Sequence, residues 1–256
     1  MPTSLTISTS TLYGFGLTLA RVSGALVFVP LPGIRAVAEP ARVGLAMALT
    51  VSLASRWPAP GGQVGIGALA VWMASEAALG VAMGIGMAIA LEAFALAAQV
   101  FGLQAGYAYA STIDPNSEAD SGVLLVFAQL IAGMLFFALG LDRELLRLFA
   151  QSLDVVAPGT YVPGPAAAVP IIRLGAALFA AGVRLALPVV SLLLMVDVAL
   201  ALLGRLNQQL QLLSLAFPVK MLLALAVLSW TAAMFPRVLA ELGGQALVAA
   251  RRAAGV

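Results

Sequence analysis

The chain has 256 residues, of which 62% are apolar and only 9% charged, and its mean hydropathy is +1.06. Soluble domains carry about 45–50% apolar and about 25% charged residues, so a water-soluble globule is excluded. There is no histidine and no cysteine, which removes imidazole bases, thiol nucleophiles, His/Cys zinc sites, c-type haem attachment and disulfide scaffolds together.

No metal or cofactor is expected. The net charge of +2 rests on twelve arginines and Lys220, scattered without a basic run, which is no nucleic-acid footprint.

In chain order, residues 1–10 (MPTSLTISTS) carry no basic side chain ahead of the apolar run that follows. They lack the charged start of a cleaved signal peptide, and the segment is expected to be retained. Apolar stretches then cover residues 12–31, 43–53, 66–110, 123–141, 171–203 and 212–235. At 1.5 Å per residue and about 20 residues per span, they predict roughly five to seven helices of membrane length. Turn chemistry separates them at 30–40, 56–62 (RWPAPGG), 114–122 (DPNSEADSG) and 158–170 (PGTYVPGPAAAVP). Strand-type alternation is weak throughout. The expected fold is all-α, and the last break is the expected divide between two parts, 1–165 and 166–256.

Arg21, Glu76, Glu92, Arg184 and Asp197 each stand inside an apolar run. At about 3 kcal/mol per charge facing lipid, five would cost roughly 15 kcal/mol, as much as a typical domain's whole stability. They must face protein, water or one another. Two readings follow: ion pairs between helices of the chain, or groups lining a path or a subunit interface.

At 100° per residue, Gly80, Gly84, Ala88, Glu92, Ala95, Gln99, Gly102 and Gly106 share one face of the long stretch. Small residues at i, i+4 let a second backbone approach closely, either another helix of the chain or another subunit. Beyond this stretch lies a segment with Tyr107, Tyr109, Ile113, Asp114 and Pro115. Asp114 suits a helix N-cap and Pro115 a first helical position, so the segment reads as a reversal between long helices. Arg205, Asn207, Gln208, Gln209 and Gln211 then gather at the tip of a helical hairpin, a cluster unsuited to hydrocarbon.

Three stretches together resemble the FliR/SctT family of type III secretion export-gate subunits, over essentially the whole chain. They are Ala20-Arg21-Val-Ser-Gly24 running to Pro30, the glycine-rich helix ending Gly102-Leu-Gln-Ala-Gly106 before Asp114-Pro115, and Arg205 through Phe217-Pro218-Val-Lys220. Gln208 stands where the family's polar stretch has proline, Gln211 replaces its asparagine and Ala216 its glycine. These departures bear on the detailed hairpin geometry.

The resemblance implies long helical hairpins, with a FliP-like N-terminal part and a FliQ-like C-terminal hairpin. It implies a non-enzymatic subunit of the bacterial inner membrane and flagellar basal body. One copy completes a ring with FliP and FliQ, with FlhB wrapped around its base and FlhA below, and unfolded flagellar proteins leave the cytoplasm through it.

The resemblance also makes residues 107–122 a channel plug, with Tyr107, Tyr109, Ile113, Asp114 and Pro115 in it. Arg21, Gly80, Gly84, Glu92, Gln99, Gly102, Gly106 and Arg184 are then expected at subunit interfaces. Arg205, Gln208, Gln209, Gln211 and Lys220 are expected on the FlhB-facing tip. An injectisome subunit of the SctT type is the near alternative. From another class stands a secondary transporter or small-solute channel with Arg21, Glu92 and Asp197 as a midplane site.

Overall fold

The computed structural model describes residues 8–29, 39–59, 65–107, 122–206 and 212–255. These are helical throughout, with no strand among the described residues. The α-helices are α1 (Thr9–Phe28), α2 (Glu39–Ser52), α3 (Ile66–Ala105), α4 (Val123–Ala138), α5 (Leu141–Val155), α6 (Pro165–Leu206), α7 (Leu212–Thr231) and α8 (Phe235–Ala254). The all-α expectation stands. Tyr109, Ile113, Asp114, Pro115, Gln208, Gln209 and Gln211 lie outside the described residues.

Among the described residues, four apolar helical segments are long enough to cross a membrane, Thr9–Phe28, Ile66–Ala105, Ala167–Arg205 and Ala216–Ala254. A fifth results if α4 and α5 count as one broken span. Two differences from the sequence reading have local causes. The stretch 123–141 does not run on as one helix, because Gly140 at φ +70° opens a 63° bend between α4 and α5. α2 has 14 residues, about 21 Å of helix, too short to span.

α5 and α8 escaped a search for apolar runs because their order is periodic. α5 buries Leu141, Leu145, Leu148 and Phe149 while Arg143 and Arg147 stay on the polar side. α8 buries Val238, Leu239, Leu242, Ala246, Ala249 and Ala253. Both repeat near 3.6 residues, the signature of an amphipathic helix.

The chain forms two compact units. The first comprises Met1–Ala90, Phe136–Gly175 and Leu242–Val256, the second Leu91–Leu135 and Ala176–Glu241. In the first, α1 crosses α3 backbone to backbone. A Cβ on Gly80 would fall well inside 3.0 Å of the Arg21 carbonyl oxygen, one on Gly84 would do the same at Ala25, and one on Gly24 at Ala77. Only glycine admits this approach. α2 packs on α1 through Val22, Leu26 and Ala46, with Leu19, Leu45, Leu49 and Leu53 around them.

In the second unit, Phe94 meets Phe235 edge-on at 5.5 Å between centroids. Leu96 fills the space that a side chain at Gly182 would need.

Candidate functional site

Of the charges embedded in apolar stretches, Arg21, Glu76 and Asp197 find named partners inside the chain. Arg21 and Glu76 are each only 1% exposed. Arg21 Nε donates to Glu76 Oε2 at 2.5 Å, Nη1 to Ser152 Oγ at 3.1 Å and Nη2 to the Val156 carbonyl at 3.4 Å. The Gly159 amide completes Glu76 by donating to Oε1 at 3.2 Å, and the Ser152 hydroxyl donates to the Phe149 carbonyl at 2.8 Å.

This network joins α1, α3, α5 and the turn after α5. Gly159 holds φ +73° with the Trp72 ring against its Cα, leaving no room for a side chain. The interface role expected of Arg21, Gly80 and Gly84 therefore meets a different surrounding, since their contacts here lie within the chain.

The second polar cluster forms at the C-terminal end of α3. Gly106, at φ +87°, closes the helix: its amide donates to the Leu103 carbonyl at 3.2 Å and the Tyr107 amide to the Gly102 carbonyl at 3.0 Å. That pair of bonds is the Schellman arrangement, in which a glycine in the left-handed region satisfies the last carbonyls. The Phe217 ring of α7 lies over Gly106. Tyr107 Oη donates to the Met221 carbonyl at 3.2 Å. Burial raises the Tyr107 hydroxyl above its ordinary pKa, which keeps it protonated as a donor.

One turn earlier, Gln104 Nε2 donates to Asp197 Oδ2 at 3.0 Å, and the other carboxylate oxygen of Asp197 pairs with Lys220. Side chains from α3, α6 and α7 thus hold one another through Gln104, Tyr107, Asp197, Phe217 and Lys220. The side chain of Asp197 is 37% exposed and that of Lys220 16%, so their pairing is a partly solvated latch rather than a source of much stability.

Of the predicted site residues, the structure brings Gly106, Tyr107 and Lys220 together here. Glu92, Gln99, Arg184 and Arg205 are exposed, while at Gly102 a Cβ would meet only the Leu124 side chain, in ordinary contact. The sequence reading assigned no role to Gln104 and left Asp197 without its partner. A signal was present. Asp197 stands 12 residues before Gln209 and Lys220 stands 11 after it, the near-equal spacing that brings opposite charges side by side across a helical hairpin.

Arg184 differs from the other embedded charges. It is exposed near the middle of the Ala167–Arg205 span and makes no ion pair or hydrogen bond among the described residues. Among the described residues, no group of three or more His, Cys, Asp or Glu could hold a metal ion.

Among the described residues, four helical segments long and apolar enough to cross a membrane, or five with the broken pair, define a helical membrane protein. Residues 12–246 match the family of bacterial export proteins, family 1, and the chain belongs to that family.

It is 29% identical over 212 residues to the flagellar biosynthetic protein FliR of Escherichia coli (strain K12), covering 82% of this chain and 81% of that protein. Against the flagellar biosynthetic protein FliR of Pectobacterium carotovorum subsp. carotovorum it is 29% identical over 227 residues, 85% of this chain and 82% of the relative. For that of Caulobacter vibrioides (strain ATCC 19089 / CIP 103742 / CB 15) the figures are 27% over 224 residues, 85% and 87%. The resemblance drawn from the three motifs is borne out.

Proposed function

We propose that the chain is a non-enzymatic subunit of the flagellar protein-export apparatus in the bacterial inner membrane. In this reading it completes, with FliP-like and FliQ-like partners, a pore through which unfolded flagellar proteins pass, with FlhB-like and FlhA-like proteins on the cytoplasmic side. The observation that carries the assembly is α6. Its apolar segment Ala167–Arg205 has 39 residues, and only 22% of an 18-residue apolar window within it is buried. At 1.5 Å per residue it is about 58 Å long, nearly twice a hydrocarbon core of about 30 Å. Tilting does not absorb so large an excess. The exposed Arg184 near its middle would cost about 3 kcal/mol against lipid. Helices of partner subunits resolve both difficulties by covering α6, and the exposed Gln99 on α3 offers a polar contact of the same kind.

The transporter reading draws less support. Arg21 is bonded to Glu76 and Asp197 to Lys220, so two members of its midplane site are already committed.

Residues 107–122 are the proposed plug. Its upstream end is anchored, because Gly106 and Tyr107 are tied to α7 through Phe217 and Met221. Small and aromatic side chains such as Tyr107, Tyr109 and Ile113 seal a pore by packing and dewetting, and they yield without breaking buried ion pairs. Asp114 and Pro115 would form its turn. Deleting residues 109–120 is expected to leave the complex assembled but leaky to small solutes. Unchanged permeability of cells carrying the assembled variant would remove the plug assignment.

The tip with Arg205, Gln208, Gln209 and Gln211 is the proposed FlhB-facing surface, since amide side chains can satisfy a partner's backbone. Lys220 is placed on the same hairpin.

A further inference from the structure

In the second unit, α6 turns Leu178, Leu185, Val189 and Leu193 inward. On its opposite side Val183, Leu187, Leu194, Val198 and Leu202 are each between 47% and 61% exposed. Ala180 and Ser191, also exposed, complete this stripe. From Ala180 to Leu202 its members follow steps of three, four and four residues, twice over. That is an 11-residue repeat of about 3.67 residues per turn, close enough to the helix's own period of about 3.6 that the stripe runs almost straight along α6. Its 22 residues cover about 33 Å.

The relief of the stripe suits a second helix. Ser191 leaves a hollow between Leu187 and Leu194, and its hydroxyl is turned back onto the Pro188 carbonyl of its own helix at 3.2 Å. The hollow therefore asks for packing and not for a hydrogen bond, and small residues of this kind let another helix approach closely.

Arg184 decides what that helix must carry. At 100° per residue it stands beside Val183 and Leu187 at the edge of the stripe, and it makes no ion pair or hydrogen bond among the described residues. The only carboxylate on α6, that of Asp197, is engaged by Gln104 and Lys220. A purely apolar helix laid on the stripe would strand the guanidinium away from water. One that brings a carboxylate turns the same charge into a two-pronged, charge-assisted hydrogen bond. Lipid acyl chains bring no counter-charge.

We propose that the stripe from Ala180 to Leu202 receives one apolar helix of a neighbouring subunit along its length, and that this helix carries an Asp or Glu that pairs with Arg184. This pairing rests on the export-subunit reading, in which neighbours cover α6, and it fixes the chemistry of the helix that does so.

The test uses the whole assembly, purified through a tag on this chain. A photoreactive benzoylphenylalanine at Leu187, one turn from Arg184, should crosslink to a helix of one partner subunit that holds an Asp or Glu within about two turns of the crosslink. Arg184→Glu should lower the recovered partners about tenfold or more, because it sets like charges together away from water, whereas Arg184→Lys, which keeps the charge, should hold most of them. Changing the partner helix's acidic residue to Arg should restore the assembly of Arg184→Glu, which a folding defect would not allow. A crosslink to lipid or to a second copy of this chain, a crosslinked helix without a carboxylate, full recovery of partners by Arg184→Glu, or no rescue by the reversed partner overturns the pairing. Each of these, seen while the parent chain still brings down its partners, leaves the export reading standing. A parent chain recovered without partners fails that reading first, and the pairing with it.

Discussion

Replacing Glu76 by Gln is expected to cost the chain about 3–5 kcal/mol, a large share of the about 5–15 kcal/mol that holds a typical domain folded. The substitution keeps the shape and an acceptor for the Gly159 amide but leaves the Arg21 charge in a site 1% exposed to solvent. The Ser152 hydroxyl and the Val156 carbonyl remain as partners of Arg21, yet neither carries a compensating charge. Arg21→Met combined with Glu76→Leu should recover much of the loss, because a buried ion pair is replaceable by apolar side chains of similar volume. Thermal unfolding of the detergent-solubilised assembly that contains the chain, followed by size-exclusion, measures both. A Glu76→Gln chain as stable as the parent would show that the network is not what fastens α1 and α5 to α3.

The second large effect is expected at Gly80. A Val there directs its Cβ into the Arg21 carbonyl oxygen, part of a helix backbone that cannot turn aside as a side chain does. The cost should exceed the about 1–3 kcal/mol typical of overpacking, and it should also displace the arginine whose backbone is struck. Gly102→Ala is the matched control on the same helix. Its Cβ would meet the Leu124 side chain at 3.8 Å, an ordinary contact, and alanine gains about 1 kcal/mol of helix propensity over glycine. The yield of folded chain should collapse for Gly80→Val and hold or rise for Gly102→Ala. Equal yields from both would deny that α1 and α3 touch through their backbones.

Much of this architecture was legible before any coordinates. Composition alone demanded long apolar helices, and the i, i+4 spacing of Gly80 and Gly84 announced a close helix crossing without saying whose helix would arrive. It is α1 of the same chain. Gly106 was marked as the end of the stripe, and its positive φ explains why a glycine stands there.

The pairing of Arg21 with Glu76 was hidden by their 55-residue separation, since sequence spacing constrains contacts only within one helix or across one hairpin. Asp197 and Lys220 obey the hairpin constraint and were open to discovery by symmetry about the tip. α5 and α8 were missed for a different reason, because their apolar residues recur with the helical period instead of forming runs. Of the two readings open for the embedded charges, pairing within the chain holds for Arg21, Glu76 and Asp197, and the demand for outside partners rests on the sparsely buried length of α6 and on Arg184.

That demand is the centre of the account, and identifying what remains bound to the tagged full chain after mild solubilisation tests it most directly. Native mass spectrometry is predicted to find one copy of this chain in a stable assembly with FliP-like and FliQ-like subunits. An FlhB-like protein should be recovered with it and lost when Gln208 and Gln209 are both changed to Leu. A chain that purifies alone, monodisperse in lipid with α6 uncovered and Arg184 tolerated there, would contradict it.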